Sequence, residues 1–278
     1  VRSMTSSSSP GISLKQEGIS YIAGAELPCL IINVMRGGPG LGNIAPSQSD
    51  YFQATKGGGH GDYHLIVLAP WSVQEAVELV SLSFDLADKY RNPSMILADA
   101  ILGQMMEPVS LPEYKDLKTL PSKDWVLDGA KNRPARVIRS FRMYEGELEE
   151  HNEWLRAKYR LIQRKEQRSQ SYHTRDAQFL VVSFGSQARI SYEAVRILRQ
   201  QGIKAGLFRP VTLWPFPERT LGKEARRVKK ILVVEQSLGQ MIEDVKLTLP
   251  DKEVLFMGKA GGGIIQSSEI IKFAKKHI

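Results

Sequence analysis

Short apolar runs alternate along this chain with longer stretches whose apolar residues recur at helical spacing. Residues 29–35, 65–69 and 94–98 are short apolar runs, the first interrupted by Asn33, bounded by Pro, Gly or Asp. Such runs predict strands buried on both faces of a parallel sheet. Between the last two, Val73, Val77 and Val80 mark a helix over residues 72–90, and Ser72 followed by Glu75 fits a capping box. From Gln178 the alternation becomes more regular. Strands are predicted at 179–183, 205–208, 231–235 and 254–257, and helices at 188–201, 218–230, 238–249 and 267–276. Four strand–helix units in about a hundred residues form a parallel sheet with helices on both faces.

The middle of the chain reads differently. Residues 107–135 carry Pro108, Pro112, Pro121 and Pro134, which predicts an extended linker. A helix follows, marked by Leu148, Leu155, Tyr159 and Ile162 on one face, with Glu149 and Glu150 early and Arg164, Lys165 and Arg168 late, as the helix dipole favours. The expected organisation is therefore 1–106, a linker and charged helix over 107–176, and 177–278. The first part has a shortfall: three strands are few for a two-sided parallel sheet, and residues 5–11 read as a strand-to-helix turn with nothing before it. An N-terminal piece is expected to be missing or supplied by another subunit.

Composition narrows the function. The net charge is +8, and residues 131–175 hold twelve Lys/Arg against six Asp/Glu, so most of the surplus lies around one helix. Either that helix is a solvated connector or its basic surface docks an acidic partner protein. No nucleic-acid recognition motif accompanies the charge. One cysteine, Cys29, excludes an internal disulfide, a cysteine-ligated iron–sulfur cluster and a cysteine zinc site within this chain. No apolar run approaches the roughly 20 residues of a membrane span, and no basic-then-apolar leader opens the sequence. A soluble protein of a reducing compartment, the cytoplasm, is expected.

Several glycine-bearing turns compete for chemistry. Ser8, Ser9, Pro10 and Gly11 lead into a helix over 12–25, where hydroxyls and free N–H groups suit a polar or anionic ligand atom or simply cap a surface helix. Arg36, Gly37 and Gly38 follow the strand ending at residue 35. Ligands gather beyond the carboxyl ends of parallel strands, and a guanidinium beside glycines can clamp a carboxylate; a plain tight turn is the alternative. Residues 57–62 contain His60, with no second His or Cys at metal spacing; it either stabilises a turn or moves a proton. Residues 184–186 and 258–263 suit phosphate contact or are ordinary turns. Walker A, His-Glu-x-x-His, Gly-x-Ser-x-Gly and kinase signatures are absent, which argues against a self-contained hydrolase or kinase.

Taken together, Thr5-Ser-Ser-Ser-Ser-Pro-Gly-Ile-Ser-Leu14, Val34-Met-Arg-Gly-Gly-Pro-Gly40, Gln48-Ser-Asp50, Gly59-His-Gly-Asp62 and Ile66-Val-Leu-Ala-Pro70 resemble one family. It is the alpha subunit of the 2-oxoacid:ferredoxin oxidoreductases, and the resemblance spans essentially the whole chain. Val182-Ser-Phe-Gly-Ser186, Arg209-Pro-Val-Thr-Leu-Trp-Pro-Phe-Pro217 and Val233-Val-Glu-Gln236 resemble its transketolase-C-like domain. The serine-rich turn and Gly103-Gln-Met-Met-Glu-Pro108 are most similar to the type acting on branched-chain 2-oxoacids such as 2-oxoisovalerate.

The resemblance implies an α/β chain, with a truncated thiamine-diphosphate pyrimidine-binding-type domain followed by a transketolase-C-like parallel-sheet domain. It implies oxidative decarboxylation of the oxoacid on thiamine diphosphate, electrons passing through iron–sulfur clusters to ferredoxin and the acyl group to coenzyme A. Arg36, with Gly37 and Gly38, would bind substrate; Ser8, Ser9, Pro10 and Gly11 would meet the cofactor; Asp50 would cap a helix. A beta subunit would hold the diphosphate, its Mg²⁺ and a cluster, with gamma and ferredoxin-like delta subunits and no metal in this chain. The family's Tyr-Pro-Ile-Thr-Pro turn and its pyrimidine-contacting glutamate have no counterpart here, so no catalytic residue is assigned and the chain alone is expected to be inactive. A 2-oxoglutarate enzyme of the same family and a purely structural subunit are the rival readings.

Overall fold

The computed structural model describes every residue except 114, 115, 117, 118, 121 and 278. Two five-stranded sheets dominate it. The first runs in the order β1 (Met4–Ser7), β2 (Leu30–Met35), β4 (Ser94–Asp99), β3 (Ile66–Leu68) and β8 (Thr212–Trp214). The second runs β10 (Glu253–Gly258), β9 (Lys230–Glu235), β6 (Phe179–Val182), β7 (Ala205–Pro210) and β5 (Ser169–Tyr172). Each has four parallel strands and one antiparallel edge, β8 against β3 and β5 against β7. The helices are α1 (Ser9–Gly24), α2 (Tyr51–Thr55), α3 (Val73–Tyr90), α4 (Ala100–Gln104), α5 (Glu147–Lys165), α6 (Gly185–Gln200), α7 (Glu218–Glu224), α8 (Met241–Thr248) and α9 (Ser267–His277).

The apolar runs all became strands, and β4 is buried at every position. The expected shortfall of strands is overturned. Residues 4–7 are a strand rather than only a turn, and β8 crosses over from the second half of the chain to close the far edge. The sheet therefore has five strands, not three. The predicted helix over 218–230 ends at Glu224, and α2 and α4 are additional short helices.

The capping box at α3 forms by halves. Ser72 Oγ accepts the Glu75 N–H at 3.2 Å, but the Glu75 carboxylate accepts from the Trp71 N–H at 2.9 Å and holds Arg209 instead of returning to Ser72. On α5, Leu155, Tyr159 and Ile162 are buried while Leu148 is exposed. Tyr159 packs edge-on against His64 and Trp214, so α5 seals the place where β8 joins the first sheet instead of standing free in solvent. The stretch between α4 and α5 has little regular structure but is anchored: Glu107 accepts from the Val73 N–H and pairs with Arg189, and Lys123 pairs with Asp88. Pro121 lies outside the described residues. One apolar cluster runs through both halves, with Tyr51 packed on Phe184 at 5.7 Å between ring centroids. Among the described residues, no helix is long and apolar enough to cross a membrane.

Candidate functional site

The carboxyl ends of β1 and β2 lie side by side, because Ser7 pairs with Asn33 in the parallel ladder. The chain leaves β1 through Ser8, the N-cap of α1, whose side chain makes no capping bond, and Pro10 occupies the first turn. A Cβ at Gly11 would stand 1.9 Å from Ser7 Oγ, so a larger residue there would have to turn the Ser7 hydroxyl aside. The chain leaves β2 through Arg36, whose backbone bridges Pro46 across a loop. Gly37 donates to the Ala45 carbonyl and accepts from the Asn43 N–H, each at 3.0 Å, and a Cβ on it would press on the Asn43 side chain. A Cβ on Gly38 would meet nothing within 4 Å.

These two turns meet. Ser9 Oγ accepts the Arg36 N–H at 3.0 Å and donates to Asp50 Oδ2 at 2.5 Å, and Asn33 Nδ2 donates to the same oxygen at 2.9 Å. Asp50 stands at the N-cap of α2, but its side chain makes no capping bond there. The expectation that it caps a helix is corrected: a carboxylate that accepts from Ser9 and Asn33 is turned toward the strands, away from the helix amides.

Around this cluster, hydrogen-bonding capacity is left over. Among the described residues, no carboxylate lies within ion-pair distance of Arg36. Its Nη2 reaches only the Leu41 carbonyl at 3.4 Å, and its buried Nε has no partner. Asn33 is fully buried, and its Oδ1 is likewise unpartnered. Orphaned buried polar atoms cost about 1–3 kcal/mol each, a cost that a group arriving from outside the chain would relieve.

The remaining motifs go elsewhere. The loop 57–64 enters β3 at its amino end, so it lies at the opposite end of the first sheet from Arg36. There the His60 carbonyl accepts from Ser20 Oγ at 2.6 Å and its ring meets Tyr21 edge-on, which fastens the loop to α1. The turn 184–186 has no N–H to spare for phosphate at Ser186, because Asp99 Oδ2 takes both Ser186 N–H and Oγ–H, at 3.2 and 2.7 Å. Gly185 sits at φ +58°, and a Cβ there would lie 2.9 Å from Gln48 Nε2. The turn 258–263 packs on the Arg36 loop, with Asn43 Nδ2 donating to the Gly261 carbonyl at 3.1 Å.

Several polar residues that sequence reasoning left unassigned join the two halves. Gln48 donates to the Phe184 carbonyl at 2.9 Å, and its Oε1 accepts the Gln236 N–H at 3.0 Å. Tyr51 donates to Asp244 at 2.5 Å. Glu235 accepts from Ser237 and from three N–H groups at the start of α8. Burial pushes the carboxyls of both Asp99 and Glu235 up, and the donors around each only partly offset it. Arg209 is wholly buried, bound through both terminal nitrogens to Glu75 and stacked 4.5 Å over Trp71. The one visible sign of the Asn33 position was an amide inside an otherwise apolar strand.

Comparison with known proteins says what family this fold and its strand-end site belong to. Residues 1–173 match the family model for pyruvate flavodoxin/ferredoxin oxidoreductase, thiamine diphosphate-binding, and residues 177–270 match pyruvate:ferredoxin oxidoreductase core domain II. The chain belongs to the 2-oxoacid:ferredoxin oxidoreductase family, as a subunit. It is 46% identical over 271 residues to the ketoisovalerate oxidoreductase subunit VorB of Methanothermobacter marburgensis, covering 98% of this chain and 77% of the relative. It is 35% identical to the 2-oxoglutarate synthase subunit KorA of Methanothermobacter thermautotrophicus, covering 99% and 80%. In fold it is similar to the 2-oxoglutarate:ferredoxin oxidoreductase of Magnetococcus marinus, a structure with 2-oxoglutarate, coenzyme A and succinyl-CoA bound, at TM-score 0.82 and 22% identity, covering 99% of this chain and 53% of that one. A split-gene transketolase shares the fold at TM-score 0.56, covering 98% of this chain and 74% of that one.

Proposed function

We propose that this chain binds the substrate carboxylate in a complex that oxidatively decarboxylates a branched-chain 2-oxoacid, 2-oxoisovalerate. The observation that carries the reading is the Arg36 guanidinium. It stands at a strand's carboxyl end, without a counter-ion among the described residues and with its Nε orphaned, and its backbone N–H is held by Ser9 of the Ser8–Gly11 turn. A carboxylate taken side-on would use Nε and Nη2 together, with the open side of Gly38 leaving room for it. Thiamine diphosphate, when bound, supplies the electron sink for decarboxylation. Ser8, Ser9, Pro10 and Gly11 would meet its pyrimidine end, a role that the Ser8 hydroxyl, which makes no capping bond, fits. The higher identity to VorB than to KorA supports the branched-chain substrate over 2-oxoglutarate. The rest of the reading includes a beta subunit holding the diphosphate, Mg²⁺ and a cluster, gamma and delta subunits, ferredoxin as electron acceptor, coenzyme A as acyl acceptor, a cytoplasmic location and domains at 1–106 and 177–278.

The test is Arg36→Ala in the assembled complex. Losing a charge-assisted pair removes about 1.5–3 kcal/mol of binding, so kcat/KM for 2-oxoisovalerate should fall roughly tenfold to 150-fold, with KM for coenzyme A unchanged. A variant as active as the parent would make this a structural subunit. Faster turnover of 2-oxoglutarate than of 2-oxoisovalerate by the parent would overturn the substrate.

A further inference from the structure

We infer that Asp50 is a positioning residue for substrate binding, acting on Arg36 through Ser9; this rests on the reading of Arg36 just given. Arg36 is the first residue beyond β2, so the ladder with β4, which ends at Met35 and Asp99, does not hold its N–H. Ser9 holds it, and Ser9 can do so because of Asp50. A serine hydroxyl has one proton and two lone pairs. A carboxylate accepts only, so the proton of Ser9 goes to Asp50 at 2.5 Å in preference to the Arg36 carbonyl at 3.4 Å, and a lone pair is left facing the Arg36 N–H. The same carboxylate oxygen takes the Asn33 amide, which sits three residues before Arg36 on the same strand. One group thus ties the end of β2 at two points to the start of α1, fixing where the Arg36 backbone stands relative to the Ser8–Gly11 turn. Among the described residues, no cation pairs with Asp50, and its side chain does no capping work for α2.

The experiment uses the assembled complex and three variants, Asp50→Ala, Asp50→Asn and Ser9→Ala, alone and combined with Arg36→Ala. Asp50→Ala and Ser9→Ala should each raise KM for 2-oxoisovalerate about fivefold to tenfold, the scale of one net hydrogen bond, with KM for coenzyme A unchanged. Asp50→Asn keeps an oxygen where Ser9 and Asn33 donate, and should restore KM to within about twofold of the parent. Neither Asp50 nor Ser9 should add to the loss once Arg36 is already Ala. If Arg36→Ala raises KM while Asp50→Ala and Ser9→Ala do not, the inference falls and the proposed function stands. If both KM values rise together, Asp50 is only structural and the inference falls. If Arg36→Ala itself leaves KM unchanged, both readings fall. Should Asp50→Ala fail to assemble, Ser9→Ala decides the same question, because it breaks the link and leaves the Asp50–Asn33 bond intact.

Discussion

Two polar clusters lie at the carboxyl ends of strands in this molecule, and they differ in what they leave unpaired. Where the halves join, Gln48, Asp99, Ser186, Glu235 and Arg209 spend nearly all their hydrogen bonds on one another and on backbone; Gln236 Oε1 and Arg209 Nε are left over. At the mouth of β1 and β2, a guanidinium lacks a counter-ion among the described residues and a buried amide oxygen lacks a donor. Both regions contain residues that look chemical in sequence. The counter-ion separates them: Glu75 neutralises Arg209 inside the fold, while the Arg36 guanidinium is left to pair with a ligand.

That contrast can be broken most severely at the junction. Arg209→Met removes the cation from the buried Glu75 pair and leaves its carboxylate uncompensated, so unfolding free energy should fall by about 3–5 kcal/mol, read from denaturant midpoints. Protein that still folds and assembles should keep the parent's KM, since the pair touches no spare valence at the mouth.

A smaller effect appears through pH. Burial alone would raise the Glu166 carboxyl, but bonds from Lys89, Tyr90 and Arg168 outweigh it and hold it at about 2. Because the folded value lies below the unfolded one, the ionised form favours folding. Its contribution is complete above the unfolded carboxylate range near 4.3 and is lost as pH falls toward 2. Glu166→Gln should therefore be less stable than the parent at neutral pH, and the gap should close over that acid window in urea titrations. A constant gap would refute the assignment.

The smallest effect sharpens the mouth. Gly38→Ala adds a methyl group to open space at an ordinary φ, so stability should change by less than about 0.5 kcal/mol. A rise in KM for the oxoacid without a change in melting temperature would mark Gly38 as ligand-facing. An unchanged KM would confine the site to Arg36 and the serine turn.

The parts of the fold legible in sequence were those that hydrophobicity writes locally. Strands β2, β3, β4, β6, β7, β9 and β10 are apolar runs, and their parallel order follows from the helices between them. Strand β1 reads Met-Thr-Ser-Ser and β5 reads Ser-Gln-Ser-Tyr, edges without an apolar face to announce them. Strand β8 is three residues whose partner lies far back along the chain, information no local window holds. At the candidate site, Arg36 was visible because it follows an apolar run, and the Ser8–Gly11 turn because hydroxyls, Pro10 and Gly11 open a helix. Asp50 was misread because a residue type and position that suit an N-cap also suit a strut between strands, and only the direction of its side chain decides. Glu75 misled in the same way, since half of its capping box is real.

Strand β8 also bears on how the protein is made. During synthesis, the apolar edge of β3 (Ile66–Leu68) emerges from the ribosome long before the segment that will cover it. Exposed apolar strand edges recruit other chains, so the nascent polypeptide carries a sticky seam until residue 214 is available. A fragment cut after residue 173 would keep that seam permanently, which makes the two family-matched segments poor candidates for separate expression.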